Sequence, residues 1–327
     1  ILPPSRPAKK LEPRPALERI PQAPFYFSPG RNPLTATILD GKALAARLAG
    51  KLLEWRRAPL REAGIRLVSL SLGESPATRL FLRHQARAAA RVEIDFESRH
   101  LSEKTSEEDL VETILALNRD PTVTGILVQR PLPPHIDGRR IQSKVHPDKD
   151  VEGMNPANIG TILYRQPMLC PCTALAAFRI LLSTGLDPKG AEAVVVGHSE
   201  IVGKPVAILL MNRLATTTVC HVGTRDLARH TREAEILVVA VGKAGLIRGD
   251  MIRPGATVID IGINRIQGED GTWKTVGDVD FPSALERAGA ITPVPGGVGP
   301  VTVMSLMENT LRAAAHARGL TLPEIEL

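Results

Sequence analysis

The run AVVVGHSEIVGKP, residues 193–205, has the make-up of a phosphate-cradling turn between a strand and a helix. Gly197 permits the sharp turn that ends an apolar strand, and Gly203 lets the backbone come close where a helix begins. The free amides of a helix N-terminus suit a pyrophosphate. With Ser199 between them the spacing is G-x-S-x-x-x-G, without the middle glycine of the usual dinucleotide fingerprint. Taken alone, the run also fits the βα turn of any α/β domain. Cysteine chemistry offers less. Cys170 and Cys172 form C-x-C, and Cys220 precedes His221. These spacings lack the paired pattern of a zinc site, so no metal is expected and the cysteines are read as packing near a domain junction. Only three cysteines in 327 residues exclude a disulfide scaffold and point to a reducing compartment.

These residues need a scaffold, and the chain alternates helix and strand signals from residue 35 onward. Apolar residues recur at helical spacing over Leu39–Ala63, with Asp40 placed to cap. Strands are expected at Leu67–Leu72, Val92–Phe96 and Val123–Gln129, with helices at Pro76–Arg91 and Ser106–Asn118 between them. Glu107, Glu108 and Asp109 fill the first turn of the last helix, where the dipole favours acids. A second unit begins near Cys172, with a helix over Thr173–Ser183, a strand over Ala193–Gly197 and a helix from Gly203. Strands at Ala215–His221, Ile236–Val241 and Thr257–Ile261 follow, the order of a dinucleotide-binding fold. A last amphipathic helix, Thr302–Ala315, is free to return to either unit. The class is α/β, with parallel sheets covered by helices.

Composition agrees with a folded body. At 43% hydrophobic residues the chain can bury two ordinary cores, which excludes disorder of the whole. The uncharged stretch Ala288–Met307 is long enough to cross a bilayer, but Pro293, Pro295, Pro300 and four glycines exclude a regular membrane helix, and a soluble protein is expected. Charge is uneven. Residues 1–34 hold six Lys/Arg against Glu12 and Glu18, a balance of +4 of the total +6, together with nine of the 27 prolines. They read as an extended basic arm on a near-neutral body. Such an arm suits a nucleic-acid or membrane tether, a docking strap, or a targeting remnant. Phe25, Tyr26 and Phe27 read as a local anchor onto the body.

VVVGHSEIVGKP together with ITPVPGGVGPVTV (291–303), VGDVDF (276–281), GILVQRPLPPHI (125–136), HPDKDVEGMNPAN (146–158) and VIDIGIN (258–264) resembles the methylenetetrahydrofolate dehydrogenase/cyclohydrolase family. The match runs from about Ala36 to Ala315. It implies an α/β folate domain over residues 35–172, completed by the C-terminal helix within 302–327, and a Rossmann-type NAD(P)-binding domain over 173–301. A cleft between them is the implied active site, the arm 1–34 lies outside the match, and members are usually homodimers. The implied dehydrogenase step passes hydride from the methylene carbon of 5,10-methylenetetrahydrofolate to NAD(P)⁺, and the cyclohydrolase step adds water to the methenyl product.

Several positions depart from the family pattern. Its Tyr-x-x-x-Lys pair falls on Phe81 and Gln85 in SPATRLFLRHQARA (75–88). A lysine amine in an apolar cleft exchanges protons near neutral pH and so activates water, and a glutamine amide does not. Cyclohydrolase activity is therefore expected to be lost. Gln129, which matches the glutamine that holds the family's lysine, is left with no lysine to hold. Its neighbours Val128 and Arg130 belong to the implied substrate segment. Glu152 stands at the pterin-binding aspartate position in Lys149–Gly153, with a solvated loop acid as the alternative reading. Pro295, Gly296, Gly297, Val298 and Gly299 match the folate-cleft loop without change.

On the cofactor side, His198 replaces the arginine that binds the 2′-phosphate of NADP, and Val222 replaces its assisting serine. Neither substitutes for a guanidinium fork on a dianion, so NAD, seated on Gly197, Ser199 and Ile263, is expected over NADP. Two readings stay open at this point. One is a dehydrogenase without cyclohydrolase activity. The other is a catalytically inactive pseudoenzyme, recruited as a structural or accessory subunit of a larger assembly. Phe81, Gln85, Glu152, His198 and Val222 together favour the second. An RNA-rich partner would meet Lys9, Lys10, Arg14 and Arg19 of the arm, and a mitochondrial location is expected.

Overall fold

A computed structural model describes residues 35–73, 75–164, 167–268, 271–323 and 325. The arm, with its basic and aromatic side chains, lies outside the described residues. The chain starts with β1 (Thr37–Ile38) and α1 (Gly41–Arg57). Asp40 caps α1 by accepting from the amides of Lys42 and Ala43, and Leu44, Leu48, Leu52 and Trp55 bury one face at helical spacing. A three-stranded parallel sheet follows, with β2 (Arg66–Leu72) between β3 (Asp95–Leu101) and β4 (Gly125–Val128). The helices α2 (Pro76–Arg91) and α3 (Glu107–Arg119) make its crossovers. Ser75 and Ser106 cap these helices through the amides of Thr78 and Asp109.

Strand β3 begins three residues later than the β-rich run Val92–Phe96 suggests. Val92 caps α2, Glu93 takes a left-handed φ of 56°, and the Ile94 amide returns to the Ala89 carbonyl. Those residues are committed to a turn before the strand can start.

Two short helices, α4 (Gly138–Lys144) and α5 (Pro156–Leu163), lead to α6 (Cys172–Leu182). The second sheet then forms from β5 (Glu192–Val196), α7 (Gly203–Asn212), β6 (Thr216–Cys220), α8 (Leu227–Thr231), β7 (Ile236–Val239) and β8 (Thr257–Asp260). Strands β5, β7 and β8 are apolar and buried along nearly their whole length, as parallel strands covered on both faces must be. An antiparallel hairpin, β9 (Asn264–Gln267) with β10 (Trp273–Val276), precedes α9 (Phe281–Leu285), β11 (Ala290–Ile291) and α10 (Val298–His316). The six strands run β1-β11-β8-β7-β5-β6, all parallel. Thus Thr37–Ile38, at the head of the first unit, joins the edge of the second sheet.

The last helix packs against α1, α2 and α6, and its buried residues occur on every side, from Val301 through Leu306 to Leu311. Even Glu308 is buried there, held by the guanidinium groups of Arg179 on α6 and Arg312. Despite burial, those cations keep its carboxyl below the usual carboxylate range. Among the described residues no helix is long and apolar enough to cross a membrane.

Candidate active site

A cavity of about 90 Å³ opens where the C-terminal end of the small sheet faces the turn after β5. Its walls include Phe81 and Gln85 of α2, Leu127 of β4, Glu152, Ile201, and Thr302 and Val303 of α10. Phe81 and Gln85 are four residues apart and so share one helix face. Phe81 is half exposed, whereas Gln85 is sealed. The Gln129 amide, also buried, donates to Gln85 Oε1 and to Ser69 Oγ, each at 2.8 Å. Gln129 is therefore not idle without a lysine. It clamps the Gln85 side chain by donating to its amide oxygen.

Glu152 reaches the cavity because its neighbours are tied elsewhere. Lys149 Nζ donates to the Leu117 and Asp120 carbonyls at the end of α3. Asp150 is buried and accepts from Gln142, Asn158 and the Asn155 amide. The Val151 side chain is core, and its carbonyl accepts from Asn309 Nδ2 at 2.8 Å. Gly153 has φ +75°, and a Cβ there would lie 2.4 Å from the Cys170 backbone, so glycine is required. Only Glu152 is free to turn inward. Its Oε2 is buried with no hydrogen-bond partner among the described residues. Burial, then the charge of Asp150, push its carboxyl up to about 7 against the pull of Arg130. The solvated-loop reading of Glu152 is thereby replaced by a cleft carboxyl.

On the other wall, the turn after β5 is built by two glycines. Gly197 has φ +116°, with the Ala240 carbonyl oxygen 2.2 Å from where a Cβ would sit. A Cβ on Gly203 would lie 1.9 Å from the Gly197 carbonyl oxygen. Ser199 Oγ accepts from the amides of Val202 and Gly203 at the head of α7, which has no capping side chain of its own. This close turn at the head of a helix fits a pyrophosphate, so Gly197 and Ser199 would hold a dinucleotide. Two acids in the matched motifs fasten the neighbouring loops. Asp278 Oδ2 accepts from the amides of Val241 and Gly242, and Asp260 accepts from those of Gly262, Asp278 and Val279. Burial pushes the Asp260 carboxyl up to about 6.

His198 and Val222 follow the adjacent strands β5 and β6, and both are exposed. Ile263 follows β8, two strands from β5, and is also exposed. Val128 needs a correction. Its side chain packs with Val68, Leu110 and Ile114 on the far face of the small sheet, and alternation puts Leu127 at the cavity instead. Pro295–Gly297 lead into α10, and Val298 and Gly299 are already helical. One turn on, Thr302 and Val303 line the cavity. A Cβ on Gly41 would lie 1.7 Å from the Gly297 carbonyl oxygen, so this loop is pressed onto the start of α1. Cys170 and Cys172 are buried, their thiols pushed up by burial, and Asn309 Nδ2 bridges the carbonyls of Cys170 and Val151. Ile201 is a wall residue that sequence reasoning did not single out, although it lies within the matched run 194–205.

Comparison with known proteins agrees with this geometry. Residues 39–152 match the family model of the tetrahydrofolate dehydrogenase/cyclohydrolase catalytic domain, and residues 171–318 match that of its NAD(P)-binding domain. The bifunctional protein FolD of Rhodobacter capsulatus is 53% identical over 282 residues, covering 86% of this chain and 93% of that protein. The Bordetella avium protein of the same name is 49% identical, covering 86% of this chain and 98% of its own length. Among solved structures, the bifunctional enzyme from Campylobacter jejuni superposes with a TM-score of 0.81 at 40% identity, covering 86% of this chain and 99% of that one. The Trypanosoma brucei enzyme, solved with NADP and an inhibitor, gives 0.83 at 37% identity, covering 87% and 99%. With both halves matched in order, the chain belongs to the tetrahydrofolate dehydrogenase/cyclohydrolase family.

Proposed function

We propose that this protein oxidises 5,10-methylenetetrahydrofolate with NAD(P)⁺, NAD being favoured, and that it does not hydrate the methenyl product. The observation that carries this reading is the buried amide pair, Gln129 Nε2 to Gln85 Oε1 at 2.8 Å. Hydration needs a group that takes a proton from water, and an amide at this position takes none. Hydride transfer makes a smaller demand, namely that the two carbons be held in line. The dinucleotide, when bound, supplies the hydride acceptor. The chain's own part is positioning. Gly197 and Ser199 hold one partner at one wall, and Phe81 offers a ring at the other. Glu152 presents a carboxyl at the position where the family's aspartate meets the pterin.

The preference for NAD rests on what stands beyond Gly197. His198 and Val222 offer no fixed cation to a 2′-phosphate, whereas a 2′-hydroxyl needs only a modest partner. The test is oxidation of methylenetetrahydrofolate by the purified chain with each dinucleotide separately. Methenyl product that accumulates with NAD, forms poorly with NADP and decays no faster than in buffer is the expected result. Conversion to 10-formyltetrahydrofolate well above the uncatalysed rate would refute the loss of hydration, and no turnover with either dinucleotide would refute the enzyme.

A further inference from the structure

One short turn, residues 199–202, serves both sides of the cleft. Ser199 Oγ accepts from the amides of Val202 and Gly203 and shapes the nucleotide side. Ile201, two residues on, is a wall of the cavity that also holds Phe81 and Glu152. Glu200 lies between them and faces neither ligand. Its carboxylate accepts from Arg139 of α4, with Nη2 to Oε1 at 2.9 Å and Nε to Oε2 at 3.1 Å. Two parallel bonds of this kind fix direction as well as distance. Arg139 belongs to the first unit and Glu200 to the second, so the pair spans the cleft.

The Arg139 end is anchored. Asp137 Oδ1 accepts from the Arg139 amide at 2.9 Å, and the Asp137 amide donates to the carboxylate of Glu107 at the head of α3. Glu107 also pairs with Arg140. The turn itself has no such root in the first unit. Its bonds close on Ser199, and Lys204, the other cation near Glu200 at 4.0 Å, rides on α7 of the same unit. Among the described residues no other hydrogen bond or ion pair ties the turn to the first unit.

We propose that the Arg139–Glu200 pair is a latch across the cleft, through which Glu200 acts as a positioning residue that holds the 199–202 turn ready for the dinucleotide on one face and the folate on the other. This rests on the reading of the cleft as a joint dinucleotide and folate site. With the latch made, both ligands meet an ordered turn. Without it, whichever ligand binds first must order the turn, and the second finds the work done. Both side chains are exposed, so the bias that the latch supplies is modest, up to roughly fivefold in affinity.

The test is calorimetric binding to the full chain of NAD⁺ alone, of tetrahydrofolate alone, and of each with the other saturating. Arg139→Gln and Glu200→Gln should each weaken both ligands measured alone by roughly two- to fivefold. The loss should vanish when the other ligand is saturating, which a simple loss of contact or of stability would not produce. The double variant should bind like either single one, because the pair acts as a unit. Affinities that stay unchanged, a loss confined to one ligand, or a loss of the same size with the other ligand saturating overturns the latch while leaving the functional reading in place. Failure of the unaltered protein to bind either ligand overturns both.

Discussion

Replacing Glu152 by glutamine is expected to stabilise the protein in mild alkali and to do little in acid. Glu152 is tucked under the cleft with Oε2 buried and unpartnered among the described residues. Burial and the neighbouring Asp150 raise its carboxyl from 4.5 to about 7. The folded protein therefore holds this proton more tightly than the unfolded chain does. Between those two values the folded state carries more protons, so stability falls as the pH rises through the window. Each tenfold in proton affinity is about 1.4 kcal/mol, which puts the full penalty of ionising Glu152 at about 3 kcal/mol. Water entering the cavity would reduce it. Glutamine has nearly the same shape as the protonated acid and never ionises. The gain from Glu152→Gln should thus be under about 1 kcal/mol near pH 5 and approach about 3 kcal/mol near pH 8.5. Urea unfolding of both proteins at the two pH values measures it. A gain of equal size at both would show that ionisation is not the cause. A loss at high pH would show that the carboxylate has a stabilising partner, and the argument would fail.

Three further substitutions probe the rest of the cleft. Phe81→Tyr with Gln85→Lys should create hydration of the methenyl product, about 10²- to 10⁴-fold above the starting protein, read as loss of methenyl absorbance. Gly203→Ala should abolish dinucleotide binding in calorimetry and lower the melting temperature, because its Cβ meets the Gly197 carbonyl oxygen at 1.9 Å and neither backbone can give way. Asp278→Asn removes one carboxylate oxygen from a loop that needs both, the amides of Val241 and Gly242 on one and Asn264 on the other. It should cost about 1–3 kcal/mol in urea unfolding and raise KM for the dinucleotide more than for the folate.

The elements legible in the sequence are those whose signals are local. Helix α2 begins and ends where Ser75, Pro76 and the apolar spacing place it, and the buried strands β5, β7 and β8 announce themselves by their short Val/Ile/Leu-rich runs. The hairpin of β9 and β10 is not legible. Its residues are mostly exposed, and part of its support is Arg265 lying over the Trp273 ring, a contact without periodicity. Strands β1 and β11 are two residues each and exist only because the second sheet offers them an edge. At the site, residue types told which positions depart from the pattern of the resembled family, but not what the side chains there do. That Gln129 turns to Gln85, and that Glu152 Oε2 is buried without a partner among the described residues, depend on packing between segments far apart in the chain.

The glycines that carry much of the family resemblance answer to the fold before they answer to catalysis. Gly153, Gly197, Gly203 and Gly297 each have backbone closer than 3.0 Å to where a Cβ would sit, so each would be required in an inactive protein with this architecture. Asp260 and Asp278 likewise hold backbone amides and have structural work whatever the cleft does. The fold is less exacting at Gln85 and Glu152. A buried lysine at Gln85 would have to stay neutral or find a counter-charge, whereas the amide oxygen there accepts from Gln129. At Glu152 an unpartnered carboxyl works against stability at neutral pH, so its presence is not explained by folding. A stable protein would gain by losing it. A carboxylate oxygen buried and unpartnered among the described residues is a cost that a hydrogen-bond donor on a molecule bound in the cavity would remove.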